Sequence, residues 1–368
     1  MGFVPPPYPY DRLDELKEIA DRHEGGVVDL SIGTPCDPPS DEVIHALGHS
    51  DSERGYPPSI GTPEYRAAAA GWLNRLVGTD LEAAEIRATI GSKEFVAGLP
   101  HWLRLRDPSK DTVLYPTISY PSYAMGATLA GCRAVPVAVD EDWRIDLSSI
   151  DEADAARAIC LWVNTPGNPA GGIDDLAAAA AWGRERDVLV ASDECYVAFT
   201  WDGPPRSILE QGRDGVLAVH SLSKRSNLAG GRSGFYAGDP EIVHYLGELR
   251  KHAGFMQPGP SQAAAVAAFE DDHHVDVQRG RYRQRLELMQ KVAALFGSPV
   301  DLPGGGFYLW APAPDGDAWA FTRRLATEAG VLVSPGEFYG EAGEHYVRIA
   351  VVQPDEQINL VASRVGSA

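Results

Sequence analysis

At 368 residues, with 44% apolar side chains, the chain is long enough to bury more than one core, and two domains are expected. Acidic residues outnumber basic ones by 52 to 32, and a formal net charge of -20 argues against a nucleic-acid binder or a protein that docks on anionic membranes. Four cysteines without C-x-x-C spacing, no basic-then-apolar leader, and no apolar run of the ~20 residues a span requires point to a soluble protein of the reducing cytoplasm, with no metal site expected.

The first ten residues carry Pro5, Pro6, Pro7 and Pro9, and read as an extended arm (1–10) running over a surface, such as that of a second subunit. Residues 11–23 follow an amphipathic helical pattern that stops at Gly25-Gly26, and residues 27–32 read as a strand ending at Gly33-Thr34-Pro35. Tyr56 stands in a loop bounded by glycine and proline, where a tyrosine ordinarily packs. A helix over 63–77 follows, with proline in its first turn and Gly78 at its end. From residue 86 short apolar runs alternate with helical stretches, the rhythm of a mostly parallel sheet flanked by helices. Seven strands are predicted, over 86–90, 112–115, 134–139, 158–163, 188–192, 216–221 and 234–237.

Several of these strands run into residues that carry chemistry. Gly91-Ser92-Lys93 follows the first and opens a helix, so its backbone N–H groups and the helix dipole form an anion site, or else a capped tight turn. Tyr120-Pro121 lies after the second, and Asn164-Thr165-Pro166-Gly167-Asn168-Pro169 turns the chain after the fourth. Asp193-Glu194-Cys195-Tyr196 ends the fifth, with Cys195 alternating away from its neighbours as a packing thiol. The sixth delivers Ser221, Ser223 and Lys224, followed by Gly230-Gly231-Arg232. Two hydroxyls and a guanidinium fork are the groups that bind a phosphate dianion, and a lysine held at a strand end near other cations is suited to form a Schiff base.

After Lys224 the chain changes character. Helices are predicted over 239–251, 261–270 and 273–296, the last opening with His273 and His274 as a solvated end and not as ligands. A glycine turn before an alternating strand (303–310), with a second strand over 346–352, suggests a small α+β domain. Arg348 interrupts the second of these apolar strands, and a buried guanidinium there needs a carboxylate, from a substrate or from an internal salt bridge. The large domain is assigned to 42–271 and the small one to 1–41 with 272–368.

In this order, and over nearly the whole chain, the motifs resemble those of the class I/II aminotransferases, fold-type I enzymes dependent on pyridoxal 5'-phosphate (PLP). The resemblance implies an α/β fold whose large domain holds a mostly parallel seven-stranded sheet. It implies that Lys224 bears the cofactor, Asp193 pairs with the pyridine nitrogen, and Asn168 and Tyr196 bond the phenolate oxygen. Gly91, Ser92, the Lys93 amide, Ser221, Ser223 and Arg232 would hold the phosphate, and Tyr120 would stack on the ring. Tyr56 would reach the phosphate of the other subunit, making a homodimer with composite sites. Arg348 would take the substrate's α-carboxylate, with the Gly33 segment and Asn168 beside it. The implied reaction is a ping-pong transfer of an amino group between an amino acid and a 2-oxo acid. Residues 90–94 resemble those of aminotransferases acting on diaminopimelate-type compounds, and residues 220–224 with 227–230 resemble those of succinyldiaminopimelate transaminases of lysine biosynthesis, implying N-succinyl-LL-2,6-diaminopimelate with 2-oxoglutarate or glutamate. Aminotransferases of the aspartate, alanine or kynurenine type and carbon–sulfur lyases of the same fold share these contacts. Gly231 departs from the pattern, since relatives often carry a larger residue there, and Lys93, Arg225 and Arg54 are the cations near the motifs that could meet a distal carboxylate.

Overall fold

The alternating runs become a single sheet in the computed structural model, which describes residues 2–366. Its strands are β1 (Arg87–Ile90), β2 (Thr112–Pro116), β3 (Arg133–Val137), β4 (Ala158–Asn164), β5 (Leu189–Asp193), β6 (Val216–Ser221) and β7 (Ser233–Gly238). They lie in the order β1-β7-β6-β5-β4-β2-β3. β7 runs antiparallel to both β1 and β6, and the other pairings are parallel. Each strand falls on its predicted apolar run, with ends displaced by one or two residues at most, the usual ambiguity of strand ends.

The sheet reads so clearly because both of its faces are covered. β4 is buried along its whole length. Ala158, Leu161 and Val163 join one apolar layer with Trp72, Leu73 and Phe269, while Ile159, Cys160 and Trp162 join another with Phe95, Leu99 and Tyr123. Because β4, β5 and β6 are parallel neighbours, their carboxyl ends lie side by side: Asn164 sits opposite Asp193, and Asp193 opposite Val219. Helices Pro63–Val77, Ser92–Arg106, Pro240–His252 and Gly259–Glu270 are among those of this unit, which comprises Asp37–Arg279 with Gly304–Gly306.

The second unit comprises Met1–Cys36, Gly280–Pro303 and Phe307–Ala368. Residues 1, 367 and 368 of the small-domain assignment lie outside the described residues. Its sheet has three antiparallel strands, β8 (Tyr308–Pro312), β9 (Ser334–Pro335) and β10 (Tyr346–Ala350), in the order β9-β10-β8. The strand predicted over 27–32 contracts to Val28–Asp29, paired in parallel with Val331–Leu332. The helix predicted over 11–23 is a 3-10 turn, Pro9–Leu13, followed by an α-helix, Asp14–Ala20. Pro9 therefore opens a helical turn where the arm was expected to be extended still, because the fixed φ of proline suits a first turn and its missing N–H costs nothing there. No helix among the described residues is long and apolar enough to cross a membrane.

Candidate active site

Asp193 closes β5 with its side chain almost fully buried. The Tyr123 hydroxyl donates to its Oδ2 at 2.9 Å, and the Cys195 amide donates to its Oδ1 at 3.3 Å. Burial is the main influence on the carboxyl and raises it above the usual range, with the bonds from Cys195 and Tyr123 and the charge of His220 pulling the other way. A carboxyl so placed is ionised most readily beside a cation, and a protonated ring nitrogen supplies one. Tyr123 was not anticipated from the sequence. It stacks on Trp162 at 5.0 Å, meets Tyr120 edge-on at 6.0 Å and bonds a residue 70 positions away. Its one local signal is its place three residues after Tyr120, on the first turn of the helix Ser122–Leu129.

A second group of residues forms a cradle. Gly91 has φ 72°, and a Cβ there would lie 2.3 Å from Nη2 of Arg232, so the guanidinium occupies the space a side chain would need. Arg232 also donates to the carbonyls of Ala229 at 3.0 Å and Ile90 at 3.4 Å. Ser221 and Ser223 are joined Oγ to Oγ at 3.0 Å, and the Ser223 amide donates to Ser221 Oγ at 3.1 Å. Lys224 follows on the short helix Leu222–Arg225, half-buried, and its charge is felt at the Cys195 thiol.

Cys195 corrects the sequence reading, because its thiol does not turn away. Sγ donates to Ser92 Oγ at 3.3 Å, which places it among the cradle residues. Burial foremost, and then Asp193, pushes the thiol well above its ordinary range, so it stays protonated and acts as a donor rather than a nucleophile.

The turn after β4 is tied to β5. Asn164 Nδ2 donates to the Asp193 carbonyl at 2.8 Å, and its Oδ1 accepts the Asn168 amide at 2.8 Å. Asn168 and Tyr196 are both buried, and Pro166 packs on Gly305 so closely that a Cβ there would be 2.3 Å from the ring. Lys93 Nζ lies 5.9 Å over the Tyr120 ring. Tyr56, 95% exposed, stands apart from these groups.

Of the cations considered for a distal carboxylate, Arg225 is withdrawn. Its side chain is buried, Nη2 bonds Asp272 Oδ1 at 2.9 Å, and Nη1 bonds Ser226 Oγ at 2.9 Å. Arg54 is a solvated side chain 3.7 Å from Glu53. His274 is likewise no solvated helix end: its ring bridges Asp271 at 2.8 Å and Ser226 at 2.9 Å. Gly231 has a local cause, since a Cβ there would meet Leu228 Cγ at 2.7 Å.

In the small unit, Arg348 is buried on β10 between the rings of Tyr308, 4.3 Å away, and Tyr339, 4.6 Å away. Its Nη2 donates to the Ser31 carbonyl at 2.6 Å and reaches the Tyr10 hydroxyl at 3.4 Å. Gly33 packs on the same Tyr308, where a Cβ would lie 2.1 Å from the hydroxyl.

The large unit thus combines a strand-end lysine, a buried carboxyl raised in pKa and a glycine–arginine cradle that any side chain at Gly91 would fill. These residues fit PLP. The family model for aminotransferase class I and II matches residues 25–365. The chain belongs to this family. As a class I/II aminotransferase it is PLP-dependent, and the α/β fold expected from the sequence is the one found. It is 41% identical to the 4-dedimethylamino-4-oxo-anhydrotetracycline transaminase OxyQ of Streptomyces rimosus, over 98% of this chain and 99% of that protein. It is 33% identical to the LL-diaminopimelate aminotransferase of Aquifex aeolicus, over 98% of this chain and 96% of that one. The solved structure of a probable N-succinyldiaminopimelate aminotransferase from Thermus thermophilus aligns with a TM-score of 0.85 at 30% identity, covering 98% of this chain and all of that one.

Proposed function

We propose that this aminotransferase moves the amino group of N-succinyl-LL-2,6-diaminopimelate to 2-oxoglutarate in a ping-pong cycle, as a cytoplasmic homodimer. PLP, when bound, supplies the aldehyde that receives the amino group and the electron-withdrawing ring that loosens the α-proton. Lys224 would hold PLP through its Nζ, and the same Nζ would move a proton at the substrate's α-carbon. Asp193 keeps the ring nitrogen protonated, and the Tyr123 hydroxyl bonded to it favours its ionised form. Asn168 and Tyr196 would hold the cofactor's phenolate oxygen, and Tyr120 would stack on the ring. Gly91, Ser92, the Lys93 amide, Ser221, Ser223 and Arg232 bind the phosphate, joined by the other subunit's Tyr56. In the small unit, Arg348 presents its fork to the α-carboxylate, with the Gly33 segment beside it.

The observation that carries the substrate reading is Lys93, a cation over the ring of Tyr120 at the start of the cradle helix. N-succinyl-diaminopimelate, a tricarboxylate with one free amine, and glutamate both carry a carboxylate remote from the reacting amine, so one lysine serves both halves of the cycle. The diaminopimelate relatives support this reading. The identity to OxyQ favours a second one, in which the acceptor is a bulky ring ketone.

A panel of donors and acceptors separates them. N-succinyl-LL-2,6-diaminopimelate with 2-oxoglutarate is expected to exceed aspartate, alanine or kynurenine in kcat/KM by at least ~100-fold, about 2.7 kcal/mol of differential transition-state binding. Lys93→Met should erase most of that margin. A ring ketone aminated faster from glutamate would select the second reading, and elimination of a thiol from a cysteine conjugate would select a lyase.

A further inference from the structure

The salt bridge between Arg250 and Glu94 joins the helix Pro240–His252 to the first turn of the helix Ser92–Arg106. Arg250 is 2% exposed, and its fork is bidentate: Nη2 to Oε1 at 2.6 Å and Nη1 to Oε2 at 2.9 Å. Its guanidinium carbon is 4.8 Å from the ring of Phe255, 5.3 Å from Trp102 and 5.6 Å from Phe95. Glu94 is only partly buried, but desolvating the guanidinium of Arg250 to meet it costs stability that apolar packing would not, so a placement of this kind invites a functional account.

Glu94 Oε1 also accepts the amide of Ile90 at 2.9 Å, while the Ile90 carbonyl accepts from Arg232 Nη2 at 3.4 Å. Ile90 is therefore held by Glu94 on its N–H and by the cradle arginine on its C=O. Glu94 also poses an electrostatic problem. It places a negative charge in the first turn of the helix whose N-terminus is to receive a dianion, and like charges there oppose binding. A bidentate arginine cancels that charge while leaving the carboxylate free to pin the Ile90 amide.

We propose that Arg250 is a positioning residue for the phosphate of PLP: through Glu94 it fixes the Ile90–Gly91 turn and keeps the cradle free of net negative charge. This rests on the reading of Gly91, Ser92 and Arg232 as the phosphate site. It predicts that Arg250 discriminates PLP from pyridoxal, which lacks the phosphate, although it touches neither.

The test strips the full-length enzyme of cofactor and titrates it with PLP and with pyridoxal, following absorbance. Arg250→Met is expected to weaken PLP at least about 10-fold while leaving pyridoxal within about 3-fold, the first factor corresponding to about 1.4 kcal/mol. The double variant Glu94→Gln/Arg250→Met, which removes the stranded charge, should recover part of the PLP affinity. Should Arg250→Met fail to fold, Arg250→Lys keeps the charge without the fork, and a smaller but still PLP-selective loss is expected. Equal loss of both ligands, or loss of neither, overturns the proposal. Arg232→Ala is the control for the underlying reading: if it fails to discriminate the two ligands, the phosphate site is misassigned, whereas selectivity there and none at Arg250 refutes this inference alone.

Discussion

A hydroxyl is among the groups that set the state of the carboxyl read as the partner of the ring nitrogen. Asp193 is raised by burial, and Tyr123 is one of the few groups that oppose this. Removing the hydroxyl in Tyr123→Phe takes away a bond to the ionised form, so the Asp193 carboxyl rises further and the anion is populated only at higher pH. The acid limb of the kcat/KM profile should move to higher pH by about 1–2 pH units, in keeping with the 1.5–3 kcal/mol of a hydrogen bond to a charged group. A ring that merely packed would lower activity without moving the limb. Neither Tyr123 nor the thiol of Cys195 was legible as a partner in the sequence, because each meets its target across the fold: Tyr123 meets Asp193 over 70 positions, and Cys195 meets Ser92 over 103. No local pattern encodes such a contact. Arg225 erred in the opposite direction, since adjacency to Lys224 suggested a ligand while its side chain points to Asp272.

Among the elements, the turn after β4 carries a titratable strut. Asp174 Oδ1 accepts the Ile145 amide at 2.9 Å, and its own amide donates to Thr165 Oγ1 at 3.1 Å, tying the segment around Trp143 to the Asn164–Pro169 turn. The residue keeps some surface exposure, yet its carboxyl is enclosed, and burial pushes it up to about 6. A carboxyl raised on folding favours the folded state while protonated; that contribution is fully present below the ordinary value near 4 and is lost as pH climbs through about 6. Asp174→Asn, whose amide oxygen can still accept from Ile145, should therefore match the parent in Tm near pH 4 and exceed it increasingly by pH 7. A constant difference across that range would refute the strut's titration. The elements themselves were legible where one physical cause dominates. β4 and β6 are buried along every residue and read as continuous apolar runs, and the helix Pro63–Val77 is marked by its proline and by Gly78 at φ 75°. The N-terminal segment was harder, because proline both forbids a helix interior and favours a helix start, and only the fold decides which applies at Pro9.

For the whole molecule, the open question is whether one chain suffices. Tyr56 is almost fully exposed, although a large aromatic ring left in water forgoes the gain of burial. If it serves the phosphate of a second copy, two individually inactive variants, Tyr56→Ala and Lys224→Ala, should regain activity when mixed, since a heterodimer then holds one intact centre. Mixed chains that exchange subunits, as seen by native mass spectrometry, and still show no recovery would mean that each protomer is self-contained.

The strand order has a consequence in time as well as in space. β1 leads directly into Gly91 but sits at the sheet edge, where it pairs only with β7. Ile90 and Arg232, which meet in the cradle, are 142 positions apart, so at about 5–20 residues per second a ribosome releases them roughly 7–28 s apart. Until β7 emerges, β1 has no partner in its sheet and Ile90 lacks the guanidinium of Arg232. Its four residues, begun by a charged Arg87, make a poor template for another strand during that wait. If Arg232 is a phosphate ligand, as proposed, capture of the cofactor belongs to a late stage of this unit's synthesis, and the nascent chain must reach that point without the cofactor to organise it.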